Sequence, residues 1–246
     1  MKFENSIIKL NHDVITKVDI KSDFYQEMFA RGGILAGGYA RYITTDTDIN
    51  PHDIDIFCRA PEDFETLKKW LDTFCHEKAN SEFAIAYVVH GKYNYIQHII
   101  QLIRPREEGN IKTYGSPAEI IANFDFTINM VAIDALDVYM ADRFYRDMNK
   151  RRLIFNNIHC AIGILVRVRK YLKKGFSIPI SEFAKIYLMW DSTDEETKAM
   201  IFDAFLRESQ KEQEEDEDGE ISVTKRSEFR NFRREDERIF KIFYID

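Results

Sequence analysis

The stretch Leu35-Ala36-Gly37-Gly38-Tyr39-Ala40-Arg41, followed after a short polar loop by His52-Asp53-Ile54-Asp55-Ile56-Phe57, couples a glycine turn to a closely spaced pair of aspartates. Along an extended strand, residues two apart point to the same side, so Asp53 and Asp55 share one face while Ile54 and Ile56 point to the other. The spacing therefore predicts a strand with a chemical face and a core face. Gly32 to Ala36 reads as a shorter strand that runs into the turn.

Two carboxylates placed this way lie about 6.5 Å apart, and at an effective dielectric near 20 they repel by roughly 2.5 kcal/mol. A divalent cation between them removes that penalty. Oxygen-only ligands and a nearby turn of phosphate-cradling type favour Mg²⁺ or Mn²⁺ over zinc, which prefers His and Cys. A bare Asp-x-Asp is more often a pair of solvated surface aspartates; the Gly37-Gly38 turn upstream shifts the balance towards a metal site.

Outward from this centre, Asp53 to Cys58, Phe83 to Val89, Tyr95 to Ile103 and Thr127 to Ile133 have strand character, and Pro61 to His76 has helical spacing at Phe64, Leu67, Leu71 and Phe74. Ser116-Pro117-Ala118-Glu119 carries the marks of a helix start, with Ser at the cap, Pro in the first turn and Glu placed to close a capping box; that helix is expected to end near Phe124. The first 30 residues read as a leading amphipathic segment. From about Asn157 the pattern turns helical, over Ile158 to Lys174, Ser181 to Trp190, Thr193 to Arg207 and Ser227 to Phe243. The fold class expected is α+β, a mixed sheet with helices over residues 1–150, followed by an all-helical module over 151–246 with an acidic flexible segment near 211–222.

With 246 residues and 45% hydrophobic content the chain can bury a sizeable core. Three widely spaced cysteines, Cys58, Cys75 and Cys160, offer neither a disulfide framework nor a zinc pattern, which suits a reducing cytoplasm. No signal-peptide pattern and no apolar run of membrane length is seen, so the expectation is a soluble protein without a membrane partner. The net charge of −7 equals the seven acids between Glu212 and Glu220, and without them 35 acids balance 35 bases. Bases concentrate in Arg143, Arg146, Lys150, Arg151, Arg152, Arg167, Arg169, Lys170, Lys173 and Lys174, and again from Lys225 through Arg238. Local charge governs phosphate contact, so a nucleic-acid partner stands beside the plainer reading of solvated helix faces.

Taken in order, Gly37-Gly38-x-x-Arg41, Asp53-x-Asp55, Asp125-Phe126-Thr127-Ile128-Asn129, and Arg169 ahead of Lys174-Gly175-Phe176 resemble the head and neck of the polymerase-β-like nucleotidyltransferases, most closely the tRNA CCA-adding enzymes and bacterial poly(A) polymerases. The resemblance covers roughly Leu35 to Phe176. It implies that Asp53 and Asp55 are catalytic Mg²⁺ ligands, that Gly37, Gly38 and Arg41 approach the triphosphate, that Asp125 and Asn129 read the ribose, and that Arg169 belongs to the nucleotide-binding neck. The implied reaction moves an NMP from an NTP to a hydroxyl acceptor, an RNA 3′ end such as that of tRNA, with release of pyrophosphate.

The sequence also departs from that family. Tyr42 stands where the family has an aspartate, Asn123-Phe124 replace two arginines, and Val166 occupies the place of a neck arginine. Glu235-Asp236-Glu237-Arg238 is one residue short of the base-selecting motif, and Gln97 and Gln101 fall where some relatives carry a third carboxylate. His52 takes the place of a basic residue, and His98 reads as a packing or surface residue. These losses keep two other readings open: a catalytically weak nucleotide- or RNA-binding module, and a nucleotidyltransferase of toxin-like type acting on a protein or small molecule. A docking role for the acidic run is a further alternative.

Overall fold

A computed structural model describes residues 5–203, apart from 48, 52, 110, 159, 160, 200 and 201. The acidic run, the second basic cluster, Glu235 to Arg238, His52, Cys160 and the helix expected over Ser227 to Phe243 lie outside the described residues, as do residues 200, 201 and 204–207 of the helix expected over Thr193 to Arg207.

The chain begins with β1 (Ile7–Leu10) and α1 (Asp23–Ala30), so the leading segment is part strand and part helix. β2 (Gly33–Ala36) runs into α2 (Gly38–Ile43), and β3 (Asp53–Cys58) follows with the bounds its alternation predicts. α3 (Pro61–Leu71) starts on Pro61, and the Asp63 carboxylate accepts the Ala60 amide at 3.0 Å, which closes its first turn. The helix stops at Leu71, before the His76 expected, because β4 (Cys75–Asn80) already claims Cys75. β5 (Ala84–Val89) and β6 (Ile99–Ile103) complete this half; β6 is shorter than expected because Tyr95 to His98 still belong to the loop.

A two-stranded ribbon, β7 (Glu107–Glu108) with β8 (Ile111–Lys112), leads to α4 (Pro117–Ile121). The α4 capping box forms as read: Ser116 Oγ accepts the Glu119 amide at 3.3 Å and the Glu119 carboxylate accepts the Ser116 amide at 2.8 Å. Only the end of the Thr127 to Ile133 run is strand, β9 (Val131–Ile133). Its start is a turn in which the Asn129 amide bonds to the Phe126 carbonyl at 3.0 Å. Then come β10 (Val138–Ala141), α5 (Phe144–Asn149), α6 (Ala161–Lys173) and α7 (Ile180–Asp191). No helix among the described residues is long and apolar enough to cross a membrane.

Eight strands form one mixed sheet in the order β1-β10-β9-β2-β3-β6-β5-β4. The β3–β6 pair is parallel and the other pairs are antiparallel, so the architecture is α+β as expected. On one side of the sheet α1 and α3 meet the strands through Phe24, Met28, Phe64, Leu67 and Leu71, all buried. Burying each such side chain is worth about 1.5–3 kcal/mol. Gly33 marks their closest approach: a Cβ there would sit 2.6 Å from Met28 Cγ and 2.8 Å from the Met28 carbonyl.

Candidate functional site

The aspartate pair is held by register. In the parallel pairing Asp53 faces Ile99 and Asp55 faces Gln101, while on the other side Asp55 faces Ala36 of β2. Side chains paired in register share a face, so one row across the sheet reads Ala132, Ala36, Asp55, Gln101, Ala86. Alanines flank the two polar residues on either side, so no bulky neighbour in register covers their carboxyl and amide groups. Asp55 is 3% exposed, whereas Asp53, at the strand's first position, is half-buried. The same face is apolar further along the strand, where the Phe57 ring packs at a tilt against Phe124 with ring centroids 5.8 Å apart. Chemistry and core therefore share the aspartate face, a division along the strand that alternation alone does not show.

Asp53 is engaged by a neighbour that carries no charge: Gln101 Nε2 donates to Asp53 Oδ2. Beside them, burial pushes the His98 imidazole below its ordinary value, and the negative charge of Asp53 only partly offsets this. The His98 ring meets the Tyr39 ring edge-on at 5.2 Å, and the Tyr39 hydroxyl shares a 2.6 Å hydrogen bond with Tyr25 in the core.

The glycine turn lies against the same end of β3, since Ala36 is in register with Asp55 and Gly37 is the next residue. Gly37 has φ 74° and ψ −136°, a conformation that glycine alone adopts without strain, and its amide bonds to the Val131 carbonyl at 3.0 Å. A Cβ on Gly38 would meet nothing closer than Arg41 Nη2, at 3.9 Å, so open space lies beside the turn and the guanidinium borders it. Arg41 is itself 3% exposed. Its Nη1 donates to Asn129 Oδ1 and, at 2.8 Å, to the Tyr171 hydroxyl, which in turn donates to Asn129 Oδ1 at 2.7 Å. Arg41 Nε is buried with no hydrogen-bond partner among the described residues.

The Asp125 to Asn129 turn is knit to α6. Arg167 Nη1 pairs with Asp125 Oδ2, and the two side chains are 9% and 7% exposed. Asn129 contacts Tyr171, four residues further along the helix. Positions four apart share a helix face, so α6 presents Arg167 and Tyr171 together to the turn. Arg169, two residues on, is turned by about 200° from Arg167, and it is half-buried on another face. Thr127, within the turn, donates to the buried Asp147 at 2.7 Å, and Arg143 binds the same carboxylate oxygen at 2.9 Å.

Of the residues singled out by sequence, the structure thus brings Asp53 with Asp55, sets Gly37, Gly38 and Arg41 at the adjoining strand end, and joins Asn129 to Arg41. It places Asp125 on Arg167, and Arg169 elsewhere on α6. Gln101, Arg167 and Tyr171 are the contributions that the site reading did not assign. The signal for the last two was present: Ile164, Arg167, Val168 and Tyr171 form the buried stripe of α6, and a charged residue within such a stripe demands a partner. Two carboxylates without nitrogen or sulfur donors make an oxygen-only set; among the described residues no group of three or more His, Cys, Asp or Glu is placed to hold a metal. That set suits Mg²⁺, which commonly takes one or two protein carboxylates and fills its remaining positions with water and substrate phosphates.

The mixed sheet with its helices matches a nucleotidyltransferase-like fold seen in solved structures. A CCA-adding enzyme in complex with ATP superposes with a TM-score of 0.52 at 17% identity, over 81% of this chain and 51% of that one. A CCA-adding enzyme in an apo form gives 0.51 at 15% identity, over 75% and 48%, and one in complex with CTP gives 0.50 at 16%, over 73% and 45%. The chain therefore spans about half the length of the solved structures it matches. Residues 4–151, more than half of the chain, match the profile described as Gabija anti-defense 2 family protein, and the chain belongs to that family. No curated protein sequence matches it significantly.

Proposed function

We propose that this protein is a Mg²⁺-dependent nucleotidyltransferase that moves an NMP from an NTP to a hydroxyl, in the first instance the 3′ end of an RNA such as tRNA. The observation that carries this reading is the half-buried Asp53 and buried Asp55 on one face of β3, beside the open Gly37-Gly38 turn and a buried guanidinium. In this reading Asp53 and Asp55 hold the Mg²⁺, which when bound neutralises phosphate charge and lowers the pKa of a coordinated hydroxyl. Gly37 and Gly38 let the triphosphate approach the backbone. Arg41, whose buried Nε costs about 1–3 kcal/mol while unsatisfied, gains an anionic partner when the triphosphate enters. Asn129 and Tyr171 fix the guanidinium, Asp125 and Asn129 border the ribose, and Arg169 adds positive charge from α6.

The acceptor oxygen attacks the α-phosphorus, its bond to the β-phosphate oxygen breaks, pyrophosphate leaves and the hydroxyl proton passes to solvent. We assign this head to residues 1–150 and a neck- and body-like part to 151–246, working in a reducing cytoplasm. Burial there keeps the thiols of Cys58 and Cys75 pushed up to about 12 and so unreactive.

A second acceptor is favoured by the family description: a hydroxyl on a component of the Gabija defence machinery. The two readings separate in one experiment. The full chain is incubated with Mg²⁺, each α-³²P-labelled NTP, and total RNA or soluble protein from cells with and without that defence system. Label that is removed by ribonuclease supports the RNA acceptor, and label that survives ribonuclease but not protease supports the protein acceptor. Binding of NTP or RNA with no transfer to either pool would sink the enzyme reading in favour of a binding module.

A further inference from the structure

We infer that Gln101 is a positioning residue for the metal centre, acting through Asp53; this rests on the metal-binding reading of Asp53 and Asp55 above. Gln101 is opposite Asp55 in the β3–β6 register and opposite Ala86 on β5, so its longer side chain has an alanine on one side and the aspartates on the other. It reaches along β3 to donate from Nε2 to Asp53 Oδ2. A carboxamide can meet an ionised carboxylate only through its N–H, which fixes the direction of the amide and leaves Oε1 as an acceptor.

The consequence is a particular charge arrangement. An acid at position 101 could not donate this bond when ionised and would add a third negative charge beside Asp53 and Asp55. Glutamine instead holds Asp53 in one orientation while keeping the centre at two negative charges. Asp53 needs that support more than Asp55 does. It is the first residue of β3 and half-buried, whereas Asp55 is enclosed between Ala36 and Gln101 within the sheet. Partners that orient a ligand in this manner commonly change metal affinity by about 10–100-fold.

The test measures Mn²⁺ binding, with Mn²⁺ alone, by electron paramagnetic resonance on the full-length wild type, Gln101→Met, Gln101→Ala and Asp53→Asn, with a thermal melt of each. Gln101→Met keeps the length and volume and removes the donor. The expected result is that both Gln101 variants bind Mn²⁺ about 10–100-fold more weakly than wild type, with Gln101→Met melting close to it. Saturable wild-type binding, abolished by Asp53→Asn, together with Gln101→Met affinity within twofold of wild type would overturn the role of Gln101 and leave the metal centre standing. A wild type that shows no saturable Mn²⁺ binding, or an Asp53→Asn variant that binds as well as wild type, would overturn the metal centre and this inference with it. A Gln101→Met variant that melts lower but binds Mn²⁺ normally would mark the residue as structural only.

Discussion

The β3 centre and the junction between the Asp125–Asn129 turn and α6 are both built around aspartates, yet they are held in different ways. Asp53 and Asp55 owe their placement to strand register, with alanines on either side. Asp125 and Asn129 owe theirs to side chains that arrive from a helix about forty residues later: Arg167 on one, Tyr171 on the other. A centre held by backbone pairing can lose a carboxylate and keep its shape, whereas a junction held by buried side-chain pairs cannot lose a partner without leaving charge or polarity stranded. In the proposed reading the first region carries the metal chemistry, while the second holds the ribose-side residues in place through buried pairs, and substitutions in the two should differ in how they divide between activity and stability.

The largest effect falls on activity and not on folding. Asp55→Asn is expected to lower nucleotidyl transfer at least about a thousandfold, near 4 kcal/mol in the barrier, with a melting temperature at or above that of wild type because a repulsive charge has gone. Steady-state transfer rates and a thermal melt on the same preparation check it. Arg167→Leu should do the reverse, costing about 3–5 kcal/mol of folding stability by leaving Asp125 buried without its cation; chemical denaturation measures this. Asp125→Asn in the Arg167→Leu background should restore part of the loss, since the stranded charge is then removed.

Smaller changes sharpen the boundary between the regions. Gly37→Ala should cost about 1–3 kcal/mol, because its φ of 74° with ψ of −136° strains any side chain, while Gly38→Ala should fold normally and weaken NTP binding through the space beside Arg41. Tyr171→Phe removes two of the three bonds in the Arg41–Asn129–Tyr171 triangle and should cost about 1–3 kcal/mol, with KM for the NTP raised more than kcat is lowered. The smallest effect is the pH dependence from His98. Its folded value is depressed, so the unfolded chain takes up the proton first, near pH 6.5. The stability it contributes is complete above that pH and declines as pH falls through 6.5 towards the lower folded value. His98→Gln should flatten that slope in denaturation curves measured between pH 7 and pH 5.

What could be read from sequence follows the same division. Gly37-Gly38, Asp53-x-Asp55 and the Ser116–Glu119 capping box are local patterns, in which a few adjacent residues fix backbone shape and side-chain direction, and each appears where it was expected. Thr127 to Met130 has strand-like composition but forms a turn, because Thr127 is spent on Asp147 and Asn129 on Arg41 and Tyr171. Those partners are far along the chain and leave no periodic signal. The pairing of Asp125 with Arg167, while Arg169 lies on another face, depends on the rotation of α6 against the head, which a motif does not encode. Gln101 was visible as a non-acid on a strand, but its bond to Asp53 became apparent only once the parallel register was known.

The most direct test of the account is transfer of label from an α-³²P-labelled NTP to the acceptor pool, comparing wild type with Asp53→Asn in excess Mg²⁺ and in EDTA. Wild type is expected to incorporate label and release pyrophosphate stoichiometrically in Mg²⁺ alone, with both lost in EDTA and in the folded variant. Equal incorporation by Asp53→Asn, or undiminished wild-type transfer in EDTA, would contradict it.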